Sequence, residues 1–302
     1  MAIEKAIKLQ PVIKSYIWGG DFFRIFKKCE EKIVSELWEL SVREDASSII
    51  VSGPFSGQKL FDVLSEEDLG INCQRFPYFP LLIKLIDAKE NLSVQVHPSD
   101  DYALKYENSF GKSEMWHIIS ADENAGLYVG LNNDYSKEEI EAKLRDGSIL
   151  SALNFFKVKP GDTFVIEPGT IHAIGAGVRL IEIQQNSNLT YRLFDYLRKD
   201  KNGNYRELHI DKALKVINYK KYSQREYKGS LLADTPYFKV ERKEFDGELV
   251  LTADKGSFIS FTFIDGEGMV DDIKYQVFDT FFLPDQKSCV IKGKGTVIIS
   301  SI

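Results

Sequence analysis

The sequence predicts a mainly β protein, an antiparallel sandwich or barrel carrying a few short helices. Three observations lead there. Short runs of Val, Ile, Phe, Tyr and Thr recur between Gly, Asp, Asn and Pro, the rhythm of strands joined by tight turns. Aromatic residues make up 12% of the chain, with 20 Phe and 14 Tyr, a usage that suits pleated, half-buried surfaces. No regular alternation of strand and long helix is visible, which argues against a doubly wound sheet or a TIM barrel.

In chain order the strand runs are SIIVSG (48–53), LLIKLIDA (81–88), NLSVQVHP (91–98), DTFVIEPG (162–169), VRLIEIQ (178–184), FKVERKEF (238–245), SFISFTFIDG (257–266) and GTVIIS (295–300). Three helical insertions are expected, at about 60–70, 136–153 and 207–218. Ser65 is followed by acids that suit a first helical turn. Ser136 and Glu139 form a capping box, Ile140 and Leu144 lie one turn apart, and Gly147 can end the segment. Ile210, Leu214 and Ile217 share a face. The stretch 198–206 (RKDKNGNYR) reads as an exposed loop, and the polar YSQREYKGS (222–230) marks a boundary. The chain is therefore expected to divide into a domain at 1–225 and a second at 226–302. The paired GDTFVIEPG and FDTFFLPD (278–285) patterns hint at a duplicated barrel.

Bulk properties narrow the function. A net charge of −6 excludes a general nucleic-acid binder, which needs a basic face. A locally cationic cleft remains compatible with an anionic substrate. Cys29, Cys73 and Cys289 are scattered and odd in number, so neither a disulfide framework nor a thiolate zinc site is indicated. The N-terminal MAIEKAIKLQPVIK has charges in every apolar stretch and does not read as a signal peptide. The apolar FPYFPLLIKLI is broken by Lys84 and two prolines, too short to span a bilayer. A reducing, cytoplasmic setting with no membrane partner is expected.

The chemistry concentrates on four histidines, His97, His117, His172 and His209. None lies beyond 209, so a C-terminal barrel has no histidine metal site. In NLSVQVHPSD, Gln95 and His97 share one strand face while Val94 and Val96 share the other, and Pro98 ends the ladder. That polar pair faces either a pocket or solvent. In GKSEMWHII, Lys112 and Glu114 share a face and His117 falls opposite, as a structural histidine. In EPGTIHAIGAG, His172 follows a Pro-Gly turn among glycines, where backbone or ligand approaches closely. Two histidines and a glutamate from three strands, with an amide oxygen as a weaker fourth, make a donor set that zinc accepts while keeping one position open. Lys84 inside an apolar run is costly unless paired. Glu182 shares a face with Val178 and Leu180 and can equally be a salt-bridged rim residue. Arg192 can be an ion-pair partner of Asp195, and Trp18, Trp38 and Trp116 read as core or barrel wall.

Taken in order, KSYIWGG (14–20), WELSV (38–42), FPLLIKLIDAKENLSVQVHPSD (79–100), GKSEMWHII (111–119), EPGTIHAIGAG (167–177), IEIQQNSNLTYRLFDYLR (181–198) and RELHIDKAL (206–214) resemble type I mannose-6-phosphate isomerase, over about two thirds of the chain. The resemblance implies a cupin-type jelly roll with a second, metal-free barrel (a bicupin), and interconversion of mannose 6-phosphate and fructose 6-phosphate. It implies one Zn2+ per chain on Gln95, His97, Glu114 and His172, and a catalytic Arg192. Lys84 and Lys112 match active-site lysines, and Glu182 matches an acidic residue beside the substrate; no organic cofactor is implied. The 136–153 segment stands where longer members carry a larger helical insertion, so phosphate contacts made there do not transfer. Isomerisation moves a proton between carbons through an enediol. Glu182 is the first candidate base, with burial expected to raise its pKa. Lys84 or Lys112, with a lowered pKa, is the second. Two other readings share the donor set: an iron-dependent oxygenase cupin and a non-catalytic sugar-binding cupin. A monomer or homodimer acting on a sugar phosphate is the expected state.

Overall fold

The computed structural model describes residues 2–27, 29–200 and 202–302. Three antiparallel sheets make up the molecule among the described residues. A six-stranded sheet runs in the order Thr163–Ile166, Glu114–Ala121, Val178–Gln185, Leu81–Ala88, Glu36–Leu40, Val12–Lys14. A five-stranded sheet runs Tyr191–Phe194, Val94–Val96, His172–Ile174, Gly126–Leu131, Leu153–Lys157. Between these two sheets Ile86, Trp116, Leu180, Leu127, Val129 and Ile174 form one core cluster. Two antiparallel sheets round a shared interior are the jelly roll that the resemblance implies.

The six-stranded sheet is covered on both faces. Ile86, Trp116 and Leu180 face the jelly-roll interior. Leu81, Ile83, Leu85, Ile181 and Ile183 pack instead against Phe258, Phe282 and Ile298 of the third, eight-stranded sheet. Every residue of Leu81–Ala88 is therefore buried, which explains why LLIKLIDA reads as one apolar run rather than as alternation. The eight-stranded sheet follows the path Leu231–Asp234, Lys239–Thr252, Ser288–Ser301, Ile259–Val270, Thr280–Leu283, Ile7–Gln10, Ile49–Ile50, with Ile273–Tyr275 paired beside it. Its other face encloses a second core of Phe261, Phe263, Phe281, Tyr275 and Val297. The proposed division of the chain at residue 225 leaves two N-terminal strands in this sheet.

The expected strand runs are present, several of them trimmed or extended. SIIVSG shortens to Ile49–Ile50 because Gly53–Phe55 turns into a 3-10 helix. NLSVQVHP shortens to Val94–Val96, and FKVERKEF lengthens into Lys239–Thr252. The 136–153 insertion is helix Lys137–Arg145 followed by the 3-10 turn Ile149–Ala152. Ser136 Oγ accepts from the Glu139 N–H and the Glu139 carboxylate accepts from the Ser136 N–H, a cap contributing about 1 kcal/mol. The 60–70 insertion is two single turns, Leu60–Val63 and Glu66–Leu69, and the 207–218 insertion is the single turn Ile210–Ala213. Helix Asp100–Tyr106, which begins shortly after the strand Val94–Val96, is not among the three expected insertions. No helix among the described residues is long and apolar enough to cross a membrane.

Candidate active site

Register places the charged side chains. Across the six-stranded sheet Trp38 pairs with Lys84, Lys84 with Glu182, and Glu182 with Trp116. Directly paired residues project from the same face, so four chemistry-bearing side chains form one row toward the interior. Across the five-stranded sheet His172 pairs with Gln95, and Gln95 with Arg192. The two rows face each other across a cavity of about 380 Å3 lined by Trp18, Trp38, Lys84, Gln95, Lys112 and Arg192, among others.

His97, Glu114 and His172 are brought together, each offering a ligand atom within 4.8 Å of the others. His172 Nε2 lies 3.2 Å from Glu114 Oε1, and His97 Nε2 lies 3.6 Å from Glu114 Oε2. Both imidazoles are oriented from behind. His97 Nδ1 donates to the Leu189 carbonyl and His172 Nδ1 to the Thr170 carbonyl, each at 2.9 Å. A carbonyl only accepts, so both rings carry the proton on Nδ1 and turn the Nε2 lone pair inward, the tautomer a metal ligand requires. Burial pushes His97 well below its ordinary pKa and His172 down to about 4, keeping both neutral.

The donor set fits a divalent cation on independent grounds. His97 Nε2 and both Glu114 oxygens are buried and find no aligned hydrogen-bond partner among the described residues; the Lys112 ammonium answers one Glu114 oxygen, and the imidazole lone pair and the other oxygen stay costly without a cation between them. Gln95 lines the cavity and sets its Nε2 3.2 Å from His172 Nε2. Its amide nitrogen, not its oxygen, faces the cluster, and rotation of the amide exchanges the two. The turn before His172 is held by Gly169, whose N–H donates to the His97 carbonyl at 2.8 Å. Gly169 has φ +85, and a Cβ there would meet the Val216 carbonyl at 2.9 Å. The glycines of this segment therefore serve close backbone approach.

Two expectations about protonation are corrected. Glu182 is buried, but its pKa is not raised. Burial alone would raise it; the Lys112 and Lys84 ammoniums and hydrogen bonds from Lys84 and Trp116 outweigh that and hold it below the carboxylate range. Lys84 is likewise not lowered. Burial works downward, and Glu182 at 2.9 Å with Glu36 at 3.8 Å overcomes it and raises the ammonium. Lys112 stands 2.8 Å from Glu114. Burial pushes Glu114 itself upward, against that lysine.

Arg192 is no partner of Asp195. Its Nη1 donates to the Glu207 carbonyl, and its Nε is buried and unpartnered among the described residues. Asp195 instead receives Arg198 and Arg206. Those two arginines bracket the 198–206 stretch, whose residues 202–205 are exposed and whose ends are anchored; residue 201 lies outside the described residues. Trp18 and Trp38 line the cavity, and Trp116 donates to Glu182 at 3.0 Å. His117 sits on the opposite face, bonded to Thr163 Oγ1 at 2.8 Å. Sequence reading passed over Glu36 as a site residue. The signal was present in ELWEL, where Glu36 and Trp38 share a face, and the Trp38 indole donates to Glu36 at 2.6 Å.

Comparison with known proteins places the chain in a family. Residues 6–126 match the family model for phosphomannose isomerase type I, catalytic domain. YvyI of Bacillus subtilis is 35% identical over 99% of this chain and 99% of its own. The mannose-6-phosphate isomerase ManA of the same organism is 35% identical, over 88% of this chain and 87% of its own. A crystal structure of mannose 6-phosphate isomerase from Bacillus subtilis superimposes with a TM-score of 0.89 at 33% identity, covering 99% of this chain and 100% of the other. The chain belongs to the type I phosphomannose isomerase family.

Proposed function

We propose that this chain is a zinc-dependent aldose–ketose isomerase interconverting mannose 6-phosphate and fructose 6-phosphate through a cis-enediol. One observation carries the reading: the buried His97–Glu114–His172 group connects, through Gln95 and Lys112, to a cavity that Arg192 also lines. Family membership, and the name of the ManA relative, support the substrate.

His97, Glu114 and His172 would hold the metal, with Gln95 completing the set. When bound, zinc supplies Lewis acidity to the carbonyl and hydroxyl oxygens of the sugar. The remaining work falls to the chain. The reaction removes a proton from C2 and returns it at C1, leaving negative charge on oxygen in between. Arg192 stays protonated and lines the cavity with its Nε unpartnered among the described residues, a donor that suits that charge. Glu182 is the proposed base; it is ionised, with one oxygen against Lys84 and the other accepting from Trp116, and the carbon proton would enter at a remaining lone pair. Lys84, paired with it, keeps that carboxylate charged and is the second candidate to carry the proton. Lys112 neutralises and orients Glu114. Trp18 and Trp38 form apolar walls that limit water around the enediol. One metal per chain, a cytoplasmic setting and a monomeric or dimeric state belong to the same proposal.

The test is a coupled assay that detects fructose 6-phosphate formed from mannose 6-phosphate. Chelation is expected to abolish turnover and added Zn2+ to restore it in air-free buffer. Turnover that requires iron and oxygen, or none with any divalent metal, would overturn the reading.

A further inference from the structure

The two walls of the cavity differ in how their cations are answered. On the wall formed by the six-stranded sheet each lysine already has a carboxylate, Lys84 with Glu182 and Lys112 with Glu114. On the other side, no carboxylate among the described residues lies within ion-pair distance of Arg192, and the single buried Asp195 serves both Arg198 and Arg206. Three guanidiniums and one carboxylate leave a formal charge of +2 (3 − 1) in that group. The nearby Glu207 carboxylate points into solvent beside His209. Arg206 and Arg192 both line the cavity, as do Ser187, Asn188 and Thr190.

We infer that Arg206, clamped by Asp195, recognises the phosphate of the sugar phosphate, with Asn188 and Thr190 flanking it. This rests on the proposed reaction. Arg206 spends Nε and Nη2 on Asp195, which leaves Nη1 without a partner among the described residues. A guanidinium held in that way presents its remaining donors without losing further rotamer freedom, which favours binding. A phosphate monoester carries close to two negative charges at neutral pH, matching the unanswered charge of the arginine group. The order of residues fits the length of the substrate. His172, Gln95 and Arg192 are paired in sequence across adjacent strands, a span of about 10 Å at the usual strand spacing. A hexose whose C1 and C2 lie at the metal end can therefore extend its 6-phosphate past Arg192 toward Arg206.

Steady-state kinetics of Arg206→Gln tests this. Loss of a charge-assisted contact is expected to raise KM for mannose 6-phosphate by about 10- to 100-fold, with the loss falling on KM rather than kcat. The preference for mannose 6-phosphate over unphosphorylated mannose, as a ratio of kcat/KM, is expected to fall by a similar factor. Inhibition by inorganic phosphate is expected to weaken in parallel. An unchanged preference ratio, or equal losses on both sugars, would make Arg206 a structural residue and overturn the inference. Should Arg206→Gln fail to fold, Arg206→Lys replaces it, with a raised KM supporting the clamp and an unaltered KM overturning it. A wild-type chain that does not turn over mannose 6-phosphate would defeat the proposed reaction instead. Calorimetric binding of inorganic phosphate to wild type and variant would then still decide the role of Arg206, with loss of binding supporting it and retention overturning it.

Discussion

Compare one row of paired residues in the six-stranded sheet with one in the eight-stranded sheet. In the first, Trp38, Lys84, Glu182 and Trp116 stand side by side, and the first three line a cavity. In the second, Phe281, Phe261 and Ile299 occupy equivalent consecutive positions, and the two phenyl rings stack 5.3 Å apart. The lattice of antiparallel positions is the same. What differs is what the inward row must satisfy. Aromatic rings close the space and stabilise it by burial and dispersion. Opposite charges on neighbouring strands reduce each other's desolvation penalty and so allow the space beside them to stay open. The site layer thus keeps charges buried by pairing them, whereas in the scaffold row charge stands only at the partly exposed ends, Lys8 beside Phe281 and Glu241 beside Ile299.

Substitutions can break this contrast in order of severity. His172→Ala is expected to lose bound metal and all turnover while leaving the far-ultraviolet circular dichroism intact; elemental analysis showing full metal content would remove His172 from the ligand set. Arg192→Ala is expected to retain its metal and lose about 10²- to 10³-fold in kcat, the cost of removing one charge-stabilising donor. Wild-type turnover would end its catalytic assignment. In the scaffold layer, Phe263 stacks on Tyr275 and meets Phe261 and Phe281 edge-on. Phe263→Ala should cost about 3–5 kcal/mol in denaturant unfolding, yet leave activity per folded molecule and the zinc content as they were. A selective loss of kcat would show that the two layers are not separable in this way.

The smallest effect concerns the seam between the layers. Glu39, on the strand Glu36–Leu40, is buried beside Lys27, and Lys27 in turn approaches Asp279 of the eight-stranded sheet. Burial, opposed by Lys27, pushes the Glu39 carboxyl up to about 7. A raised native pKa means that the folded state holds the proton more tightly. That contribution is complete below the ordinary value of 4.5 and is lost as pH rises through about 7. Glu39→Gln should therefore flatten the dependence of Tm on pH across that interval; parallel curves for wild type and variant would show that Glu39 does not titrate there.

The β class was legible because strand composition and turn residues act locally, and the Ser136–Glu139 cap was legible for the same reason. The metal cluster was legible in part. Val94–Gln95–Val96 alternates cleanly, so the face carrying Gln95 and His97 can be deduced from the pleat alone. Helix Asp100–Tyr106 carries local signals, Ser99 at its N-cap and Asp100 and Asp101 in its first turn, but seven residues hold too few turns for an apolar face to stand out.

By itself the sequence determined a histidine-poor, β-rich chain, with candidate ligands at 95, 97, 114 and 172 and cations at 84, 112 and 192. Only the tertiary structure decided their states. It set Lys84 against Glu182, so that the carboxyl falls where burial alone predicted a rise. It gave Asp195 to Arg198 and Arg206 rather than to Arg192, and turned Trp18 and Trp38 into cavity walls. The reason is physical: propensity and pleat are properties of neighbours along the chain, whereas charge pairing and desolvation depend on which strands lie side by side, and that is set by the fold as a whole.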